Sequence, residues 1–405
     1  MAKIIPFRAV RPTPDKVSLV TSRSYEEYSV AELASQLDFN PFSFLHILNP
    51  IYVNQQKVGL EKRFKLVAQK YKEFKAEDIF QQEDVAAFYL YEIQAKEQSF
   101  IGIIAGASVV DYQANIIKRH EDTLQFRVEL FKDYLHETQF NTEPVLVTYP
   151  DDSELNNWIN FKKQIAPIYT FSTKKKEKHI VWKIDSTTDI EFLKQRFEQI
   201  GDLYIADGHH RTASAELLYE QDKSSENPNV NYFMSFLIAE SNVKIFEFNR
   251  IIRDLNGHSI DDFLLQLENI FWIQNKDHEL WKPTKKFEFG MYLNHSFYAL
   301  TLKDSFNFDS VLASLDAQIL YEKVLNPILG IQDLRNDERI EYIPGNQSIF
   351  AIKEIIDEGD FEIGFILFPT SIAEIKLLAD NNLIMPPKST YIEPKFRSGL
   401  FVYEL

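Results

Sequence analysis

Residues 201–211 read Gly201-Asp202-Leu203-Tyr204-Ile205-Ala206-Asp207-Gly208-His209-His210-Arg211. Leu203 to Ala206 is a short apolar run and reads as a buried strand. Thr212 to Glu220, rich in Ala, Glu and Leu, reads as a helix. The junction between them supplies a carboxylate, a flexible backbone, two imidazoles and a guanidinium. In open α/β sheets, ligands gather at the carboxyl ends of strands. A helix N-terminus offers backbone N–H groups to an anion, and Arg adds a planar, always-charged fork that suits phosphate or carboxylate. Each residue also has a plainer reading, with Asp207 as an N-cap, Gly208 as a turn residue and Arg211 as a surface cation. Several polar groups converging at one strand end form the ligand-site pattern.

Composition limits what such a site does. The chain has 405 residues, 45% of them hydrophobic, with 33 Phe and 19 Tyr, enough for two domains or one two-lobed body with an aromatic-rich core. There is no Cys, which excludes disulfides, thiol catalysis and Cys-ligated metal sites. A formal net charge of −16 argues against a nucleic acid or an anionic membrane as the partner. It leaves room for a small anionic substrate, because a local nest of Arg, His and backbone N–H overcomes the global field. The N-terminus lacks a signal-peptide core, and the longest apolar run, Phe100 to Val110, is too short to span a bilayer. The expectation is a soluble, cytoplasmic protein.

Upstream of the junction, Leu60 to Phe74 has the spacing of an amphipathic helix. Ala86 to Ile93 and Phe100 to Val109 predict a hairpin turning at Lys96-Glu97-Gln98. Arg119 to Glu137 predicts a long helix, on which His120, Thr123 and Arg127 would share a face. That stripe reads equally as a wet surface or as the lining of a site. Glu143 to Tyr149, Pro167 to Ser172 and His179 to Ile184 predict strands, and Asp189 to Ile200 a helix. Downstream come a loop at Ser224-Ser225-Glu226-Asn227-Pro228-Asn229 and strands at Asn231 to Ala239 and Lys244 to Phe248. A soft boundary near residue 255 divides a first domain, 1–255, from a second, 256–405. The second has helices at Ile260 to Phe271, Ser310 to Leu325, Ser348 to Ile356 and Ser371 to Ala379, with strands between them. Its tail, Met385 to Leu400, is stiffened by three Pro and carries Lys388, Ser389, Thr390, Lys395 and Arg397. It reads either as a strap that closes the fold or as a wall over the central loop. The fold class expected is α+β, two-lobed, with mixed sheets and flanking helices.

Ile205 to Arg211, His120-Glu121-Asp122-Thr123 with Arg127, and Met385 to Gly399 together resemble the bacterial and archaeal domain of unknown function 1015 family. Pro6-Phe7-Arg8-Ala9 and Asn40-Pro41 also fit. The resemblance covers nearly the whole chain, and its family has no settled activity. The central loop is similar to the phosphate-contacting loop of the ParB/sulfiredoxin-like superfamily, which includes nucleotide-hydrolysing partition proteins and free-serine kinases. The resemblance implies a ParB/sulfiredoxin-like core and, because family members often accompany genes of the phosphorylated serine pathway, serine or phosphoserine as a candidate substrate. Two places depart from the family pattern, Phe248-Asn249-Arg250 and Arg23-Ser24-Tyr25-Glu26. If those positions serve binding or chemistry, specificity or activity is altered.

The leading chemical reading is phosphoryl transfer, which is mostly positioning and charge neutralisation. Gly208 and Arg211 would hold phosphate oxygens, with His120, Thr123, Arg127, Arg250, Lys388 and Ser389 as further phosphate- or substrate-binding residues. Asp207, His209, His210 and Glu121 are the catalytic candidates, Asp207 or Glu121 taking the proton of an attacking hydroxyl or water. ATP or ADP with Mg2+ is the implied cofactor, the metal on Asp207. A second reading is metal-dependent phosphomonoester hydrolysis through His209, His210, Asp207, His120 and Glu121. Adjacent His on an incipient helix point about 100° apart, which disfavours it. A third is a nucleotide-binding regulatory module without turnover.

Overall fold

The computed structural model describes residues 1–52, 58–96, 98–222 and 227–405, with the backbone alone at Glu26. Glu97 of the expected hairpin turn, Ser224-Ser225-Glu226 of the expected loop and the Glu26 side chain lie outside the described residues. The chain divides into two compact units. One comprises Met1–Arg119, Thr123–Val243 and Pro394–Leu405, and the other His120–Asp122 and Lys244–Glu393. Each mixes helices with a sheet, so the fold class is α+β.

The first unit is built on a nine-stranded sheet. Its order is Ile117–Lys118, Leu203–Asp207, Val145–Tyr149, Tyr232–Ala239, Ser99–Ser108, Phe88–Gln94, Lys178–Ile184 and Tyr169–Ser172, with Ile4–Ile5 also paired to Ser99–Ser108. Val145–Tyr149 is buried along its whole length, which is why it reads as a continuous apolar run rather than an alternating one. Leu203, Ile205, Val145, Val147, Leu237 and Phe197 are 0% exposed in the core of this unit. Each such side chain contributes about 1.5–3 kcal/mol by leaving water.

Leu203–Asp207 pairs parallel to Ile117–Lys118 and antiparallel to Val145–Tyr149. Ile205 faces Val147, but the next pair is Asp207 with Leu146, so Ala206 is an extra residue in the strand. A bulge of this kind re-aims the side chain that follows it. Here it sets Asp207 at the strand's end. The helix His209–Gln221 follows at once, its inner side made of His209, Thr212, Ala213, Ser214, Ala215 and Leu218. These mostly short side chains let Gln125–Thr138 pack closely against it.

Several elements differ from expectation. The helix expected from Arg119 begins only at Gln125, because Ile117–Lys118 is held in the sheet and Leu124 keeps extended backbone as its N-cap. His120 and Thr123 therefore do not share a helical face with Arg127. The helix Ser153–Lys162 was not anticipated; the Asp152 carboxylate caps it by accepting the Leu155 N–H at 2.8 Å. In the second unit, Phe271 does not end a helix. The helix Ile260–Leu267 stops earlier, and Phe271–Asp277 is a strand pairing with Ser296–Leu302. Only Asp316–Leu325 of the expected helix from Ser310 is helical, its second half wound as a π-helix, Tyr321–Leu325.

The second unit carries a seven-stranded sheet ordered Phe271–Asp277, Ser296–Leu302, Glu288–Leu293, Ile363–Ile366, Lys244–Ile252 and Ile340–Pro344, with Thr390–Glu393 also paired to Lys244–Ile252. Phe289, Leu300, Ile363 and Phe365 are buried at its centre.

After Glu393 the chain returns to the first unit. Val402 exchanges backbone hydrogen bonds with Val10 at 3.0 and 2.8 Å, and Tyr403 pairs with Asn141. The Phe401 ring lies 5.0 Å from that of Tyr89, and the Phe396 ring 5.1 Å from that of Phe236. Gly399 has φ +76°, and a Cβ there would come within 2.5 Å of the Phe44 ring, so glycine alone lets this strand cross Phe44 so closely. Among the described residues no helix is long and apolar enough to cross a membrane.

Candidate functional site

The strand–helix junction is tighter than the sequence suggests. The helix begins at His209, so both His and Arg211 occupy its first turn and Gly208 alone forms the bend. Gly208 is the N-cap, with φ +100° and no capping side chain. A Cβ on it would meet the Arg211 guanidinium at 2.9–3.2 Å. The bare glycine therefore lets that guanidinium fold back over the bend. Asp207 is not the cap, which removes its plainest structural role.

Folded back, Arg211 bridges two carboxylates. Nη2 donates to Asp207 Oδ2 at 3.3 Å and Nη1 to Glu143 Oε2 at 3.3 Å. Lys395, from the returning tail, reaches the same Asp207 oxygen at 3.3 Å. Ser398, one turn of extended chain further on, donates from Oγ to Glu143 Oε1 at 2.6 Å. Two cations and two carboxylates thus form one network at the strand's carboxyl end. Arg211 and Lys395 keep 23% and 34% of their side-chain surface exposed, so an incoming solute can reach both. First-turn backbone N–H groups, which lack intrahelical acceptors, add a positive field at the same place.

The two imidazoles differ in what they do. The His210 Nε2 accepts the Leu124 N–H at 3.1 Å. That fixes this nitrogen as unprotonated and gives His210 the task of capping the helix Gln125–Thr138. His209 is 3% exposed, on the packed side of its own helix. Thr123 is half-buried just ahead of Leu124, and Arg127 is exposed.

The remaining sequence candidates belong to the second unit. His120 is fully buried, and its carbonyl accepts the Met385 N–H at 2.9 Å. Glu121 is half-buried, and the neighbouring Asp122 pairs with Arg335 at 3.3 Å. Arg250 is 1% exposed and donates to the carbonyls of Phe248 and Lys388, the latter at 3.3 Å. Burial lowers its pKa to about 10, against a smaller pull upward from Tyr342. Lys388 has φ +53° and sets its ammonium 5.1 Å from the centre of the Phe248 ring. Ser389 closes a turn by donating to the Pro386 carbonyl at 2.7 Å. These contacts brace the Met385–Ser389 segment. Among the described residues no group of three or more His, Asp or Glu side chains is arranged to hold a metal ion.

Glu143 and Ser398 were not anticipated as site residues. The signal for Glu143 is topological. Val145–Tyr149 runs antiparallel to Leu203–Asp207, so the start of one strand lies beside the end of the other. No local pattern announces that pairing.

The model of a family described as "Protein of unknown function (DUF1015)" matches residues 4–318. No curated protein matches the chain. Among solved structures, a free serine kinase in complex with AMP is similar at 13% identity, covering 76% of this chain and 94% of its own, with a TM-score of 0.37. A conserved hypothetical protein from Pyrococcus furiosus is similar at 13% identity, covering 71% and 93%, with a TM-score of 0.35. SbnI from Staphylococcus aureus, with a C-terminal truncation, is similar at 14% identity, covering 73% and 85%, with a TM-score of 0.38.

Proposed function

The chain belongs to the DUF1015 family, and we propose that it is a small-molecule phosphoryl-transfer enzyme that binds a nucleotide or phosphomonoester at Asp207–Arg211. The observation that carries this reading is the Arg211 guanidinium laid over a side-chain-free Gly208 at a helix N-terminus, with Lys395 beside it. Phosphate oxygens need such fixed donors, and phosphoryl transfer needs little else from the protein.

The network also fits a cofactor of ATP or ADP with Mg2+. Arg211, Lys395 and the first-turn N–H groups would hold phosphate, and Asp207 with Glu143 would hold the metal. Mg2+ takes one or two protein carboxylates and keeps its remaining sites for water and phosphate. When bound, the ion neutralises charge on the transferred group. An arriving phosphate competes with both carboxylates for Arg211, so nucleotide binding draws the guanidinium off Asp207 and Glu143. Where Asp207 does not itself hold the metal, it is the group in place to accept a proton from an attacking hydroxyl, with Lys395 still beside it.

Serine and phosphoserine are the first acceptor and product to try, because the central loop resembles that of free-serine kinases. Thermal shift with a nucleotide panel, followed by turnover with serine or phosphoserine, tests the reading. Stabilisation by nucleotide with formation or consumption of phosphoserine supports it. Phosphate release that needs metal but no nucleotide points instead to hydrolysis. Nucleotide stabilisation without any turnover points to a binding module.

A further inference from the structure

The returning tail also touches a second group of donors, separate from the loop. Arg397 lies between Lys395 and Ser398 and is half-buried. Its Nη2 donates to the Thr21 carbonyl at 2.5 Å. Its Nε has no hydrogen-bond partner among the described residues, and the guanidinium forms no ion pair there. Thr21 and Ser22 are 4% and 2% exposed, and neither hydroxyl has a partner among the described residues. Ser22 is tied to the tail by backbone hydrogen bonds with Ser398 at 3.2 and 2.9 Å.

His179 completes the group. Its ring is 1% exposed and stacked between Phe171, at 5.0 Å, and Tyr91, at 5.9 Å. Burial first, and then the charge of Arg397, lower its pKa to about 3, so the ring is neutral. Its Nδ1 lies 2.8 Å from the Tyr91 hydroxyl, and burial raises the Tyr91 pKa, so that hydroxyl keeps its proton and donates it. The ring proton is therefore on Nε2, which has no hydrogen-bond partner among the described residues. The Glu177 carboxylate is 4.0 Å from it, beyond hydrogen-bond reach.

A second guanidinium stands within electrostatic reach. Arg23 lies 4.2 Å over the Tyr28 ring and pairs with the half-exposed Glu32 at 3.1 Å. Burial, and to a smaller extent Arg23, push the Arg397 pKa down, while Tyr28, Tyr91 and Glu177 pull it up. Glu177 answers part of the Arg397 charge and Glu32 pairs Arg23, but the buried Arg397 Nε, His179 Nε2 and the Thr21 and Ser22 hydroxyls lack hydrogen-bond partners among the described residues, and buried polar groups are normally satisfied.

We propose that Arg397, Arg23, His179 and the Thr21–Ser22 hydroxyls form an oxyanion subsite for the carboxylate or phosphate group of the acceptor molecule. Lys395 and Ser398 face the Asp207–Arg211 loop while Arg397, between them, faces this subsite. One extended segment thus serves both anions, and an acceptor with an anionic group and a hydroxyl would be held beside the transferring phosphate. The subsite stands on its own geometry; its assignment to the acceptor rests on the phosphoryl-transfer reading.

Calorimetric titration of the full chain with inorganic phosphate, and separately with glycolate, tests it. Wild-type protein is expected to show two classes of phosphate site, one lost in Arg211→Ala and the other in Arg397→Gln. Loss of glycolate binding by about tenfold or more in Arg397→Gln and Arg23→Gln assigns the subsite to a carboxylate, the scale being that of a charge-assisted hydrogen bond. Loss confined to phosphate assigns it to a phosphate group. Wild-type titrations with both anions in Arg397→Gln and Arg23→Gln overturn the proposal and leave the loop reading intact. A phosphate class that survives Arg211→Ala but not Arg397→Gln, with no second class in the wild type, keeps this subsite and removes the loop reading. If Arg397→Gln fails to fold, the partly exposed Arg23→Gln alone decides, and unchanged binding in it overturns the proposal.

Discussion

Gly208→Ala perturbs both things the bend does. At φ +100° an L-residue is strained, by about 1–3 kcal/mol for a sparsely populated backbone conformation. The new methyl would also lie 2.9 Å from Arg211 Nε, so the flexible guanidinium swings away and its 3.3 Å contacts to Asp207 and Glu143 open. Those contacts are partly solvated, and each is worth about 0–1 kcal/mol. The expected stability loss is therefore about 1–3 kcal/mol, nearly all of it backbone strain. At roughly 2–4 °C per kcal/mol for a unit of this size, Tm falls by roughly 2–12 °C. Calorimetry reads this directly, and nucleotide titration reads the displaced Arg211. Arg211→Ala should weaken phosphate-ligand binding by about 1.5–3 kcal/mol without the strain, so Tm moves little. In the double variant the binding losses should not add, because both remove the same donor. Gly208→Ala protein that melts and binds nucleotide as the wild type does would refute the reasoning.

His210→Ala should lower stability by about 1–3 kcal/mol, because the Leu124 N–H loses its acceptor, while turnover persists; loss of turnover at full stability would return His210 to the chemistry. Glu83 takes a hydrogen bond from Arg11 and another from Lys183 at 2.8 Å, and is 8% exposed. Glu83→Gln should cost about 3–5 kcal/mol by denaturant unfolding, since two cations are left beside a neutral group. Burial opposes ionisation of Glu83, but those hydrogen bonds outweigh it and hold its pKa below the usual value. Its contribution is therefore full at neutral pH and is lost as pH falls through that lowered pKa, so the wild-type and variant stability curves should converge in acid. Asp316 behaves oppositely, its pKa pushed up to about 7 chiefly by burial, against the Phe287 N–H and Lys286. The folded state then holds a proton the unfolded state has released, so stability falls as pH rises from about 4 through about 7. Asp316→Asn should raise Tm at pH 8 and not at pH 4; parallel pH profiles would exclude this.

The elements legible in the sequence were those with strong local patterns. Leu60–Ala76 announced itself by helical spacing, and Phe88–Gln94 with Ser99–Ser108 by apolar runs around a polar turn. The helix start near Arg119 was misplaced because Ile117–Lys118 is held by pairing with Leu203 and Tyr204, a contact remote in sequence. The site shows the same division. Asp207, Gly208 and Arg211 are neighbours along the chain, and their shared position could be read. Glu143 and Ser398 join them only through strand pairing and the tail's return, which no window of sequence encodes. His210 could be read as a site candidate, but its contact with the backbone N–H of residue 124 could not, because it joins segments remote in sequence.

The order of the chain carries a temporal consequence. Glu143, Asp207 and Arg211 have all been made before Lys244 is reached, but Lys395 follows only after the whole of 244–393. At roughly 5–20 residues per second that is a wait on the order of 10–40 s. Without Lys395 the network would set two acids against Arg211 alone. On the proposed reading, the phosphate site gains its second cation only when this late segment docks.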